Sequence, residues 1–312
     1  MDFSPTPIQF LFEDENRNRI YVKREDLLPF SFGGNKVRIG LEMLADLKQS
    51  GCDHMIAYGN ARSNLCRVLS NLCARENIPC TILSPADDDG TTVDSFNQRM
   101  CLAFGAEVVP CLKTGVRDTV EAALQRSRDM GRKPYYIYGN SLGDGNLVTP
   151  VRAYRKVWQE LLSQQQAMNL HFDHLFLASG TGMTQAGLIC GQLLDGGNTA
   201  IHGISIARSQ DNGRAHILRY VRAFMQDEVL SPAIDFVDAY ALTYGRYTDA
   251  MRATAASALR LHGLPLDLTY TGKAYHGMLQ ELRARVIAGQ SILFLHTGGT
   301  PLFFDKLGEI VE

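Results

Sequence analysis

Short runs of β-branched and aromatic residues alternate with stretches whose apolar positions recur every three to four residues along nearly the whole chain. His54-Met55-Ile56-Ala57-Tyr58 reads as a strand, and Leu65 to Cys73 carries Val68, Leu69 and Leu72 on one helical face. The next strand is Ile78 to Leu83. A helix over about 93–104, a strand over 106–110 and a helix over 116–130 follow, the last stopped by Gly131. Tyr135-Tyr136-Ile137-Tyr138 is a fourth strand. The pattern resumes with a helix near 151–164, a strand over 174–178, a glycine-containing loop with its helix, and a strand over 201–207. Helices are expected near 214–226, 247–262 and 272–288, and a last strand over 292–295. This alternation predicts an α/β protein with largely parallel sheets. The polar run Ala86-Asp87-Asp88-Asp89-Gly90 reads as a surface loop or helix start.

Composition narrows the function without naming it. A chain of 312 residues suits two packed subdomains, and its net charge of −2 gives no basic excess for nucleic acid or an anionic membrane. No basic segment followed by an apolar run opens the chain, and no uncharged apolar stretch is long enough to span a bilayer. Seven cysteines, an odd number without a Cys-x-x-Cys pair, sit mostly in apolar segments. They read as reduced thiols of a cytoplasmic protein rather than as a zinc site or a catalytic thiol. No metal site is expected.

Four segments carry candidate chemistry, each at a strand or helix end, where parallel sheets bind their ligands. The first is Val22-Lys23-Arg24-Glu25-Asp26 followed by Gly33-Gly34-Asn35-Lys36. Lys36 directly precedes an amphipathic helix, where the dipole disfavours an ammonium and so favours an amine able to attack a carbonyl. The alternative is a solvated surface lysine. The second is Ser179-Gly180-Thr181-Gly182-Met183-Thr184-Gln185, whose amides and hydroxyls suit a phosphate dianion. It lacks the Gly-Lys-Ser/Thr of a nucleotide P-loop, and Gln185 breaks the dinucleotide pattern, so a monophosphate fits better than ATP or NAD. The third is Tyr58-Gly59-Asn60-Ala61-Arg62-Ser63-Asn64, and the fourth pairs His296-Thr297-Gly298-Gly299-Thr300 with Tyr270-Thr271-Gly272-Lys273. Taken singly, these two are also consistent with ordinary turns and helix caps.

In order and separation, the four segments resemble the fold-type II pyridoxal-5'-phosphate (PLP) enzymes that include 1-aminocyclopropane-1-carboxylate (ACC) deaminase and D-cysteine desulfhydrase. The resemblance runs from Val22 to Gly299. It implies a two-domain, tryptophan synthase β-like fold with twisted, parallel-rich sheets flanked by helices. Residues 1–45 and 152–312 would form the large cofactor domain and 46–151 a small inserted domain that closes over the substrate. It further implies that Lys36 carries the cofactor's aldehyde and shuttles the substrate's proton. Gly180, Thr181, Gly182, Met183 and Thr184 would hold the phosphate, and Asn64 the phenolic oxygen. Ser63 would bind the substrate carboxylate or assist proton transfer. Tyr270 and Tyr244 would be active-site tyrosines, and Thr271 and Thr297 partners of the pyridine nitrogen. A small amino-acid substrate and a homodimer complete the implied picture.

The departures from the family pattern fall around the substrate. Where the deaminases carry a glutamate and an apolar residue, this sequence has Thr271 and Thr297, as the desulfhydrases do. A neutral hydroxyl can leave the pyridine nitrogen unprotonated, which favours prompt β-elimination over a long-lived carbanion. Thr184-Gln185-Ala186-Gly187 is deaminase-like, Leu65 stands where the family has histidine, and Arg62 replaces a small residue. The resemblance thus implies β-elimination to a 2-oxo acid and ammonia. β-Replacement, ACC-type ring opening, a non-catalytic PLP-binding protein and a nucleotide-binding protein are the alternatives.

Overall fold

The computed structural model describes residues 3–86 and 93–311; Asp87–Gly90 of the expected polar loop lie outside the described residues. In chain order the strands are β1 (Ile8–Glu13), β2 (Arg19–Arg24), β3 (His54–Tyr58), β4 (Cys80–Pro85), β5 (Glu107–Cys111), β6 (Pro134–Tyr136), β7 (His174–Ser179), β8 (Ala200–Ser205), β9 (Asp235–Val237) and β10 (Ser291–His296). The helices are α1 (Asn35–Gln49), α2 (Asn64–Arg75), α3 (Phe96–Ala103), α4 (Val116–Asp129), α5 (Thr149–Ala167), α6 (Met183–Asp195), α7 (Gln210–Met225), α8 (Asp249–His262), α9 (Thr271–Ala284), α10 (Thr300–Asp305) and α11 (Leu307–Val311). Two units result, residues 1–35 with 151–312, and residues 36–150.

The first unit is built on a six-stranded sheet in the order β1-β2-β10-β7-β8-β9. β1 and β2 pair antiparallel, and every other pairing is parallel. The parallel strands are apolar at successive positions because helices cover the sheet: Ile292, Leu293, Phe294 and Leu295 are all buried, as are Leu175, Phe176 and Leu177. Phe294 pairs with Val22 on one side and Phe176 on the other, and these residues pack with Ile204, Leu266, Tyr275 and Met278. Parallel pairing brings the loops after β2, β10, β7 and β8 to one edge of this sheet.

The Lys23–Asp26 run braces that edge from within. The Lys23 ammonium donates to Glu160 Oε1 at 2.5 Å and Gln164 Oε1 at 2.7 Å. Arg24 grips Asp26 through Nε and Nη2, at 2.9 and 2.7 Å. Glu25 accepts from the Thr6 hydroxyl at 2.6 Å and the Tyr154 hydroxyl at 2.8 Å. All four side chains are buried, and each is tolerated there because it is partnered.

The second unit carries a four-stranded parallel sheet in the order β5-β4-β3-β6, with α1 to α4. The unit begins at Lys36, where the resemblance implies that residues up to 45 belong to the first. Gly40 shows how closely α1 packs on α2. A side chain there would meet Leu72 Cδ1 and Val68 Cγ1 at 3.0 Å, so the missing Cβ lets α1 lie directly on α2. All seven cysteines are free, and Cys66, Cys73, Cys80, Cys101 and Cys190 are buried. Among the described residues no helix is long and apolar enough to cross a membrane.

Candidate active site

In the first unit, β7 ends at Ser179 and α6 begins at Met183, so the chain must turn within three residues. Gly182 makes the turn with φ of +87°, and a Cβ there would sit 2.7 Å from Ile217 Cγ1. No side chain caps α6. Its first amides and the positive end of its dipole therefore point into the turn. The Ser179 hydroxyl is buried there without a hydrogen-bond partner. A glycine cradle, uncapped amides and an orphaned hydroxyl fit a phosphate monoester, the tail that pyridoxal phosphate carries.

Two basic residues border this turn: Arg208, which sequence reasoning missed, and Lys273, which it quoted without a role. Arg208 Nε donates to the Gly180 carbonyl at 2.8 Å, and the Arg208 backbone is pinned by Ser205 Oγ. Lys273 is fully buried and donates to the Ile206 carbonyl at 2.9 Å, and burial lowers its pKa to about 8. The Ile206 side chain would meet a Cβ on Gly180 at 3.0 Å, so its residue borders the turn. A positive surround suits a dianion.

Asn35, quoted in the first segment without a role of its own, ties that segment to the turn. Its Nδ2 donates to Thr184 Oγ1 at 2.9 Å, and its backbone amide donates to the Thr297 carbonyl at 3.0 Å. The segment before it is drawn in as tightly. Gly33 has φ of +66° with no room for a Cβ, which would fall 2.0 Å from the Asp26 carbonyl oxygen. Gly34 has φ of +98° and donates its amide to the Glu25 carbonyl. The Gly-Gly-Asn sequence is thus a requirement of close backbone approach, and Lys36 follows directly in the chain.

The fourth segment pair turns on Asp267, which sequence reasoning also missed. Asp267 is fully buried, and its carboxylate accepts the amides of Thr269, Tyr270 and Thr271 and the Thr271 hydroxyl at 2.8 Å. Thr271 Oγ1 in turn accepts the Asp267 amide at 2.9 Å. Burial raises the pKa of this carboxyl, opposed by those hydrogen bonds. Thr271 is fully buried and its proton is committed to Asp267. Thr297, on the loop after β10, has no hydrogen-bond partner for its hydroxyl among the described residues. The hydroxyls of Tyr244 and Tyr270 bond each other, and their rings meet edge-on at 5.8 Å.

In the second unit, Lys36 is the second residue of α1 and partly buried, and desolvation lowers its pKa to about 8. The turn after β3 folds Ser63 back over Gly59, where a Cβ would come within 2.6 Å of Ser63 Oγ. Ser63 caps α2 by accepting the Cys66 amide at 3.2 Å, which leaves its hydroxyl proton to donate elsewhere. Asn64 opens α2, and its Oδ1 accepts from Asn97 at 2.9 Å. Ser63 and Asn64 are thus neighbours in one helix start. The later loop over 138–145 closes on itself, with the Gly145 amide donating to the Tyr138 carbonyl at 2.9 Å and Asn140 Nδ2 to Asp144 at 2.7 Å.

Comparison with known proteins agrees with this chemistry. The family model described as "Pyridoxal-phosphate dependent enzyme" matches residues 1–298, and the chain belongs to that family. It is a PLP-dependent enzyme, and the residues described above fit the cofactor. Among curated relatives it is 28% identical to 1-aminocyclopropane-1-carboxylate deaminase of Burkholderia ambifaria, over 96% of this chain and 94% of that one. It is 30% identical to D-cysteine desulfhydrase of Yersinia enterocolitica, over 96% of this chain and 92% of that one. Among solved structures, an ACC deaminase homologue shares the fold with a TM-score of 0.83 and 24% identity, covering 99% of this chain and 93% of that one.

Proposed function

We propose that this enzyme is a lyase that releases a β-substituent from a small amino acid, as the desulfhydrase relative's name describes. With cysteine as substrate and water as co-reactant, the products would be pyruvate, hydrogen sulfide and ammonia. The cofactor supplies an aldehyde to bind the amino group and a ring to receive the electron pair when the α-proton leaves.

The chain's own residues divide the remaining work. Lys36, with its lowered pKa, would be the amine that holds the cofactor's aldehyde, and its Nζ would take the substrate's α-proton. Gly180, Thr181, Gly182, Met183 and Thr184 hold the phosphate. Asn64 donates to the ring's phenolic oxygen. Ser63 donates its hydroxyl proton to the substrate carboxylate. Tyr270 and Tyr244, sharing a hydrogen bond, orient the substrate and protonate the leaving group. Thr297 offers a neutral hydroxyl to the ring nitrogen. Thr271, its proton held by Asp267, has only a lone pair left to offer.

The observation that carries the reading is that threonines, Thr271 and Thr297, occupy the two positions that the resemblance assigns to partners of the ring nitrogen, where the deaminases carry a glutamate and an apolar residue. The test is release of pyruvate and ammonia from D-cysteine, L-cysteine and ACC. Release from a cysteine enantiomer with no added nucleophile is expected. Product only from ACC, or from none of the three, would overturn it.

Arg62 favours a second reading. It stands in the turn before Ser63, where the resemblance expects a small residue, and suits a substrate with a second anionic group. Product appearing only when a second nucleophile is supplied would indicate β-replacement instead. We further propose that the enzyme is cytoplasmic, in keeping with seven free cysteines, and a homodimer, as the resemblance implies.

A further inference from the structure

The segment Ser95–Asn97 clamps the turn that carries Ser63 and Asn64. Ser95 Oγ donates to the Ala61 carbonyl while accepting the Gln98 amide at 3.2 Å, which caps α3. Asn97 is fully buried, and its Nδ2 donates twice, to the Arg62 carbonyl at 3.1 Å and to Asn64 Oδ1 at 2.9 Å. Its own Oδ1 has no hydrogen-bond partner.

An amide side chain can be turned end for end at little steric cost, so the two bonds decide which end of each faces where. The Arg62 carbonyl can only accept. It therefore fixes the Asn97 NH2 group toward itself, since the reverse orientation would set two acceptors 3.1 Å apart. The same NH2 group has a second proton, and Asn64 must meet it with its oxygen. The orientation passes from a backbone carbonyl, through one buried amide, to another. The unsatisfied Asn97 oxygen is the cost of this arrangement, of the kind that persists where geometry is held for function.

We propose that Asn97 is a positioning residue that fixes the Asn64 amide so that Asn64 presents its two N–H donors, and not its carbonyl oxygen, to the anionic ring oxygen of the cofactor. This rests on the assignment of Asn64 under the proposed function. Donors there favour the deprotonated oxygen, and an acceptor would repel it. Asn97 acts without touching the cofactor.

The test uses the full-length protein, stripped of cofactor and titrated with pyridoxal 5'-phosphate. Two near-isosteric variants remove the donors: N97L leaves Asn64 free to turn, and N97D sets acceptors against Arg62 and Asn64. Three quantities are read: the thermal midpoint without cofactor, the cofactor dissociation constant, and the pH at which the visible band of the bound cofactor titrates. In both variants the dissociation constant is expected to rise about tenfold, as for a lost charge-assisted hydrogen bond. The band should titrate at higher pH, with N97D displaced further than N97L. In an N64A background, N97L should change neither cofactor quantity. If N64A weakens the cofactor while folded N97L and N97D bind and titrate like the parent, this inference fails and the Asn64 assignment stands. If N64A has no effect, both fail. If N97L lowers affinity equally in the N64A background, Asn97 acts through the fold alone and the inference is overturned. Should N97L not fold, the N97D titration decides in the same way.

Discussion

The hydroxyl of Thr271 donates to Asp267 Oδ2 at 2.8 Å while accepting the Asp267 amide at 2.9 Å. The two residues thus close a reciprocal pair at the start of α9. The pairing separates the roles of Thr271 and Thr297. T271V removes one of the hydrogen bonds to the buried carboxylate and leaves the Asp267 amide without its partner, which costs about 1–3 kcal/mol. The loss should appear as a lower thermal midpoint of the cofactor-free protein. T297V should leave that midpoint unchanged and instead shift the absorption of the bound cofactor. A T271V protein as stable as its parent would contradict the pairing.

The lowered pKa of Lys36 sets a pH dependence. At pH 7 an amine of pKa about 8 is about one-tenth neutral, against about one part in three thousand for an ordinary lysine. Only the neutral form attacks an aldehyde. The rate of covalent loading of the cofactor-free protein should therefore climb with pH and level off above about 8. Stopped-flow absorbance measures it. A rate still climbing tenfold per unit at pH 9 would show that Lys36 is an ordinary, solvated amine.

Asn35 donates to Thr184 Oγ1, which leaves the Thr184 proton to donate to an acceptor in the turn after β7, the proposed phosphate site. N35A is expected to weaken cofactor binding about three- to tenfold, the worth of one net hydrogen bond. In a T184V background N35A should add nothing. Calorimetric titration gives both numbers, and equal losses in the two backgrounds would refute the coupling.

The buried Lys23–Glu160 contact at 2.5 Å predicts an asymmetry in stability. E160A strands an ammonium inside the protein and should cost about 3–5 kcal/mol in urea unfolding. The double variant K23M/E160L, which removes both charges, should recover much of it. A double variant no more stable than E160A would mean that the cost comes from packing.

What the sequence reveals and what it hides divide along physical lines. β3 was legible to the residue, because a buried parallel strand is a continuous apolar run. β9, three residues long, was not, since Asp235–Val237 has too few positions to show a period. The loop at Gly180–Thr184 could be read from glycines and hydroxyls adjacent in the chain. Asp267 and Asn97 could not. Each meets its partner through a fold contact or a turn geometry, and a lone Asp or Asn in a polar stretch looks like any helix cap. The close packing of α1 on α2 is hidden for a related reason: nothing in the chain around Gly40 says what lies against it.

The most direct measurement locates the covalent bond. Protein loaded with pyridoxal 5'-phosphate is reduced with borohydride, digested, and its peptides are weighed. Lys273 is the natural competitor, because burial lowers its amine to about 8 as well. One cofactor equivalent fixed on the peptide containing Lys36, and none in a K36A variant, is the predicted result. Reduction that lands on Lys273 or any other lysine, or an equally labelled K36A protein, would contradict it.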